Sequence, residues 1–63
     1  MNNIKFLREK SCLTQNDVAE MMNVSQQSVA KWETGTSMPR ADKLPELAKI
    51  LGCEVSDLFK KEA

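Results

Sequence analysis

The segment Thr14-Gln15-Asn16-Asp17-Val18-Ala19-Glu20-Met21-Met22-Asn23-Val24-Ser25-Gln26-Gln27-Ser28-Val29-Ala30-Lys31-Trp32-Glu33 holds the start, the reversal and the restart of a helix. Thr14 offers a hydroxyl to the unpaired amides of a first helical turn, and Asp17, three residues on, completes an approximate capping box. Val18, Ala19 and Met22 recur at helical spacing and predict an inner face. Asn23 falls where the chain must turn back, a position that needs a residue tolerant of the left-handed conformation. Val24 is expected to plug back into the core, and Ser25 to cap a second helix over 26–33. That helix stops before Thr34-Gly35, where glycine suits a left-handed C-cap. Val29 and Trp32 share one of its faces, while Gln26, Gln27, Ala30 and Lys31 form the opposite stripe.

Outward from this segment the chain stays helical. Ile4 and Leu7, with Phe6 beside them, predict a preceding helix over 3–10. Residues 36–40 read as a loop. Leu44, Leu47, Ala48 and Leu51 then give a helix ending at Gly52; Pro45 fits its first turns only if it begins close to Ala41 or Asp42. Val55, Leu58 and Phe59 mark a short last helix over 55–60. Two glycines, two prolines and no period-two alternation argue against a sheet. The expected fold is all-α, a compact bundle of five short helices in a single domain, 1–63. With 41% hydrophobic residues and few aromatics, Leu, Val, Ile, Met and Ala must fill the core. Met21 and Met22 are read as core and core-edge residues.

Two short helices joined by a tight turn form the layout of a helix-turn-helix, whose second helix enters the DNA major groove. Adjacent neutral amides at its start fit that use. A solvated helix face more often carries Glu and Lys paired at i,i+4, whereas a glutamine amide can donate to N7 and accept from N6–H of adenine at once. Nine basic and nine acidic residues cancel. A duplex feels one face of a protein rather than the sum, so Asp17, Glu20, Glu46, Glu54 and Asp57 can lie away from a face bearing Lys31, Arg40 and Lys43. Non-specific binding should nevertheless be weaker than for a basic domain.

Cys12 and Cys53 lack CxxC spacing, and no histidine is present to complete a zinc site. Both are read as buried, reduced thiols. No apolar run reaches the length of a membrane span, and Lys5, Arg8, Glu9 and Lys10 interrupt any signal-peptide core, which points to the cytoplasm. Neither metal, cofactor nor small-molecule ligand is expected.

Leu-Thr-Gln at 13–15, Val-Ser-Gln-Gln-Ser-Val at 24–29, Lys-Trp-Glu-x-Gly at 31–35 and Leu-Pro-Glu-Leu-Ala at 44–48 closely resemble the Cro/C1-type (XRE) regulators. That family includes the lambdoid phage repressors, and the match runs over essentially the whole chain. The resemblance implies a lambda-repressor-like DNA-binding domain with its helix-turn-helix formed by helices 2 and 3. It implies base contacts by Gln26, Gln27 and Lys31. It implies backbone contacts by Gln15, Ser25, Ser28, Thr36, Ser37, Arg40 and Lys43, with Gln15 also bracing Gln26. Arg8 and Glu33 are implied as a structural ion pair. Family members dimerise near the end of the domain, which here means Val55, Leu58 and Phe59. Asn23 and Cys12 depart from the family by standing where glycine is common.

The expected function is sequence-specific binding of double-stranded DNA, as a homodimer on a pseudo-palindromic operator, by a small regulator that represses mainly by occlusion. A sensor domain has no room within these 63 residues. The alternative is an antitoxin or other protein-interaction module on the same fold; a third reading is the DNA-binding part of a longer regulator. An enzyme is excluded by the lack of histidine, tyrosine, a metal cluster and a glycine-rich phosphate loop.

Overall fold

A computed structural model describes residues 3–60; of the expected domain, residues 1, 2 and 61–63 lie outside that range. Four α-helices occur in it: α1 Ile4–Lys10, α2 Gln15–Met22, α3 Gln26–Thr34 and α4 Leu44–Ile50. A 3-10 turn, Ala41–Lys43, runs directly into α4, and a second 3-10 segment covers Val55–Phe59. The architecture is therefore all-α, with a 3-10 segment in place of the fifth helix expected over 55–60. In this five-residue segment the amides of Asp57 and Lys60 close tighter, 3-10 turns on the carbonyls of Glu54 and Asp57.

The local chemistry around α2 and α3 explains where they begin and end. Thr14 Oγ1 accepts from the Asp17 amide at 3.0 Å, and Asp17 Oδ2 accepts from the Thr14 amide at 2.9 Å, a closed capping box. Asn23 takes the left-handed conformation (φ 58°) and reverses the chain, allowing the Val24 amide to bond the Ala19 carbonyl. Ser25 Oγ accepts from the Ser28 amide at 3.1 Å, opening α3, and Gly35 closes it at φ 80°. Pro45 sits in the first turn of α4, where its missing amide costs nothing.

Ile4, Val18, Ala19, Met22, Val29, Trp32, Leu47, Ala48, Leu51 and Leu58 form one core. At about 25 cal/mol per Å² of apolar area, this single cluster is the main source of stability. Two links fasten its edges. The Asn3 peptide amide donates to the Leu58 carbonyl at 2.9 Å and the Asn3 side chain to the Asp57 carbonyl at 3.3 Å. Ser11 Oγ donates to the Leu51 carbonyl at 3.3 Å, joining the end of α1 to the end of α4.

Several residues lie elsewhere than expected. Phe6 is exposed, because Ile4 and Arg8 take the inner face of α1 and leave it outside. Met21 is exposed, since Val18, Ala19 and Met22 already fill the inner face of α2. Cys12 is also exposed: it sits in a left-handed turn (φ 60°) that carries it past the end of α1. Cys53 is half-buried, and desolvation, then the Asp57 carboxylate, push its thiol pKa up. Neither thiol is fully buried, and both are free.

Candidate nucleic-acid interface

Burial of Val29 and Trp32 fixes the roll of α3 about its axis. With those two turned inward, Gln26, Gln27 and Lys31 are exposed. Neither glutamine amide has a hydrogen-bond partner among the described residues, so their donors and acceptors remain for a ligand. Gln27 and Lys31 are one turn apart and share a face. The α3 N-terminus adds positive helix-dipole character beside the two amides.

The C-terminal end of α3 is held by a buried charge cluster. Arg8 Nε donates to Glu33 Oε2 at 2.5 Å and Arg8 Nη2 to Glu33 Oε1 at 3.3 Å. Their side chains are only 10% and 3% exposed, which makes this pair unlike the surface pairs elsewhere. Arg8 Nη1 donates to the Leu13 carbonyl at 2.7 Å, and Gln15 Nε2 donates to Glu33 Oε1 at 3.0 Å. Arg8 and Glu33 thus meet as a bidentate pair within a four-residue network. The bracing role implied for Gln15 goes to a different partner: its amide reaches Glu33, at the far end of α3 from Gln26. Sequence spacing offers no signal for that bond, because its partners are eighteen residues apart and meet only when α2 packs on α3.

The hydroxyl groups can be counted proton by proton. Thr34 Oγ1 donates to the Lys31 carbonyl at 3.2 Å, which uses its single hydrogen. The Thr34–Thr36 hydroxyl contact of 2.9 Å must then be donated by Thr36. Thr36 accordingly has no hydroxyl hydrogen left for a phosphate, and it ties the loop to α3 instead. Ser37 strengthens that tie through its peptide amide, 3.3 Å from the Lys31 carbonyl, and leaves its side chain exposed. Ser25 and Ser28 share one hydrogen across 3.0 Å, so one hydroxyl hydrogen of the two remains available. Ser25 is exposed and Ser28 half-buried.

Arg40 is 86% exposed and lies 3.8 Å from Asp42, and Lys43 lies 3.6 Å from Glu46. Exposed pairs of this kind are worth roughly 0–1 kcal/mol, so either cation can turn to a phosphate at little cost. At the other end, Leu58 is fully buried and cannot belong to a pairing surface. Its side chain fills the core that α1 and α4 leave open. Val55 is partly buried, and Phe59 is 48% exposed. Among the described residues no group of three or more His, Cys, Asp or Glu could hold a metal, and no helix is long and apolar enough to cross a membrane.

A helix-turn-helix family model matches residues 4–58. Over 59 residues, 94% of the chain, the sequence is 32% identical to the HTH-type transcriptional activator BcrR of Enterococcus faecalis. It is 33% identical over 58 residues, 92% of the chain, to an uncharacterized HTH-type transcriptional regulator of Methanocaldococcus jannaschii, and covers 88% of that protein. Over 38 residues, 60% of the chain, it is 42% identical to the 26 kDa repressor protein of Escherichia phage HK022. The chain spans 29% of the length of BcrR and 16% of that of the phage repressor.

Proposed function

Because the chain belongs to the helix-turn-helix family of Cro/C1-type transcriptional regulators, whose members bind DNA and are not enzymes, we propose that it reads a short duplex operator with α3 in the major groove. The observation that carries this reading is the pair of adjacent, exposed amides of Gln26 and Gln27 at the start of a helix whose other face is locked into the core. Each amide can address one adenine edge, and each good bidentate pair discriminates by about 1–3 kcal/mol. Lys31, on the same face as Gln27, would take a guanine edge or a phosphate. Arg40, Lys43, Ser37 and the spare Ser25/Ser28 hydroxyl would set register on the backbone.

The reading extends to a homodimer on two half-sites about one helical turn apart, with Phe59 and the edge of Val55 as the apolar part of the pairing surface. Repression by occlusion follows from such a footprint, in the cytoplasm where the duplex is accessible. The relatives' printed names include both an activator and a repressor, and occupancy of the operator is common to both outcomes.

Selection from a random duplex pool tests the reading. The expected result is a consensus with adenine in each half-site and a half-site spacing near 10 base pairs. Gln26→Ala and Gln27→Ala should each reduce preference for that consensus by roughly tenfold, with affinity for scrambled duplex unchanged. A folded protein that ignores every duplex at low ionic strength would end this proposal. Capture of a protein partner by such a sample would favour the antitoxin-like alternative.

A further inference from the structure

We infer that the outer stripe of α3 carries an apolar socket, floored by the Ala30 methyl, that takes the 5-methyl group of a pyrimidine base; this rests on the DNA-reading role of α3. Val29, Ala30 and Trp32 are the apolar residues of the helix, and the core takes Val29 and Trp32. Ala30 is half-buried and belongs neither to the core nor to the partly buried residues packed against it. It follows Gln26 by four positions and Gln27 by three, and precedes Thr34 by four. Its methyl therefore lies between those side chains on the helix surface. All three neighbours are exposed. They stand as walls around a carbon that neither donates nor accepts a hydrogen bond.

A helix with its side chains is about 10–12 Å across, and the major groove is about 12 Å wide. Seated there, α3 fills the groove and brings its outer stripe close to the base edges. A long side chain at position 30 would hold the helix away, whereas alanine lets the amides of Gln26 and Gln27 reach. Every adenine edge they read is paired with a thymine, whose 5-methyl group projects into the same groove. That methyl needs an apolar surface, because a polar group pressed against it loses water and gains no partner. In the stripe of Gln26, Gln27, Ala30 and Lys31, Ala30 alone has a side chain without polar atoms. Cytosine methylated at carbon 5 presents the same group to the groove. The ligand class is thus the 5-methylpyrimidine, as thymine or as 5-methylcytosine. Methylation of an operator cytosine facing Ala30 then raises affinity with no change of sequence.

The test replaces each thymine of the selected operator in turn by deoxyuridine, which removes the 5-methyl group and keeps the base pair. Cytosine and 5-methylcytosine, each paired with guanine, are then compared at the most sensitive position. Kd is measured for wild type, Ala30→Gly and Ala30→Ser. With wild type, one thymine in each half-site should lose about fourfold on removal of its methyl, the worth of one buried methyl group. The 5-methylcytosine duplex should likewise bind about fourfold tighter than the cytosine duplex. Both differences should fall below about twofold in the variants, since glycine removes the floor of the socket and serine puts a hydroxyl in it. Glycine weakens a helix interior, so if Ala30→Gly were unfolded, Ala30→Ser decides alone; unfolding of both would make Ala30 a structural residue and overturn the inference. Deoxyuridine effects within about twofold at every thymine would overturn it, as would methyl effects that persist undiminished in the variants and so belong to another side chain. Failure of wild type to bind any duplex would instead defeat the DNA-reading proposal beneath it.

Discussion

Replacing Arg8 by methionine keeps the aliphatic stem and removes the guanidinium, leaving Glu33 with its side chain 3% exposed and a single donor, Gln15 Nε2. Three hydrogen bonds go with the guanidinium, two to Glu33 and one to the Leu13 carbonyl. Breaking a buried pair on one side costs about 3–5 kcal/mol, chiefly because the surviving charge stays desolvated. At ~0.05–0.15 kcal/mol per residue, a chain of 63 residues has about 3–9 kcal/mol of total stability. Arg8→Met alone should therefore take the protein to the edge of unfolding at 25 °C, with a Tm at least about 12 °C lower at ~4–8 °C per kcal/mol. The double variant Arg8→Met/Glu33→Leu removes both charges together and should regain all but about 1–2 kcal/mol, since apolar replacement of a buried pair is often neutral. Urea titration with a common m-value measures all three proteins. If the single variant lost under about 1 kcal/mol, or the double lost the sum of the two singles, the pair would not be the desolvated lock inferred from its burial.

Three further outcomes follow from the same geometry. Asp17 is held below its ordinary value of 3.8 by the Thr14 amide, then its hydroxyl, and Asp57 by Lys60, then the Glu54 amide; Asp57 in turn raises Lys60 above 10.5. The carboxylates contribute fully above the unfolded value and lose that contribution as pH falls through their folded values, while Lys60 contributes fully below its unfolded value and loses it as pH rises through the folded one. Tm should hence be flat from about pH 5 to 8. It should fall above that as the Cys53 thiol, harder to ionise in the fold, begins to ionise in the unfolded chain, and Asp17→Asn should soften the acid limb in a pH-dependent melt. Thr36→Val should leave duplex Kd within about twofold, its proton being spent on Thr34; a uniform tenfold loss would mean that the hydroxyl turns to a phosphate. Arg40→Ala should weaken all duplexes alike and flatten the slope of log K against log salt by about one unit, and an unchanged slope would place the phosphate contact elsewhere.

Features governed by neighbours in the chain were the most legible. Thr14 with Asp17, Asn23, Ser25 and Gly35 each do what their side chains dictate within a few residues, so the helix borders around the turn could be read directly. The inner faces of α2, α3 and α4 followed from periodicity alone. Phe6 and Met21 are harder to read, because a hydrophobic residue beside an inner stripe goes outside once that stripe has filled the small core. The exposure of Cys12 depends on the path of its left-handed turn, which composition does not encode. Leu58 and the last segment depended on what α1 and α4 left uncovered, a tertiary fact. In the interface, exposure of Gln26 and Gln27 was readable from the opposite placement of Val29 and Trp32. The Gln15–Glu33 bond and the spent Thr36 hydrogen required atoms brought together by folding.

The amides of Gln26 and Gln27 contribute nothing to the core, whereas Val29 and Trp32 beneath them contribute much. Mutation can thus rewrite the outward positions of α3 with little thermodynamic penalty, so under the proposed reading new target preferences are reachable through folded intermediates. The scaffold is tolerant of retargeting, and libraries randomised at positions 26, 27 and 31 should yield mostly foldable proteins.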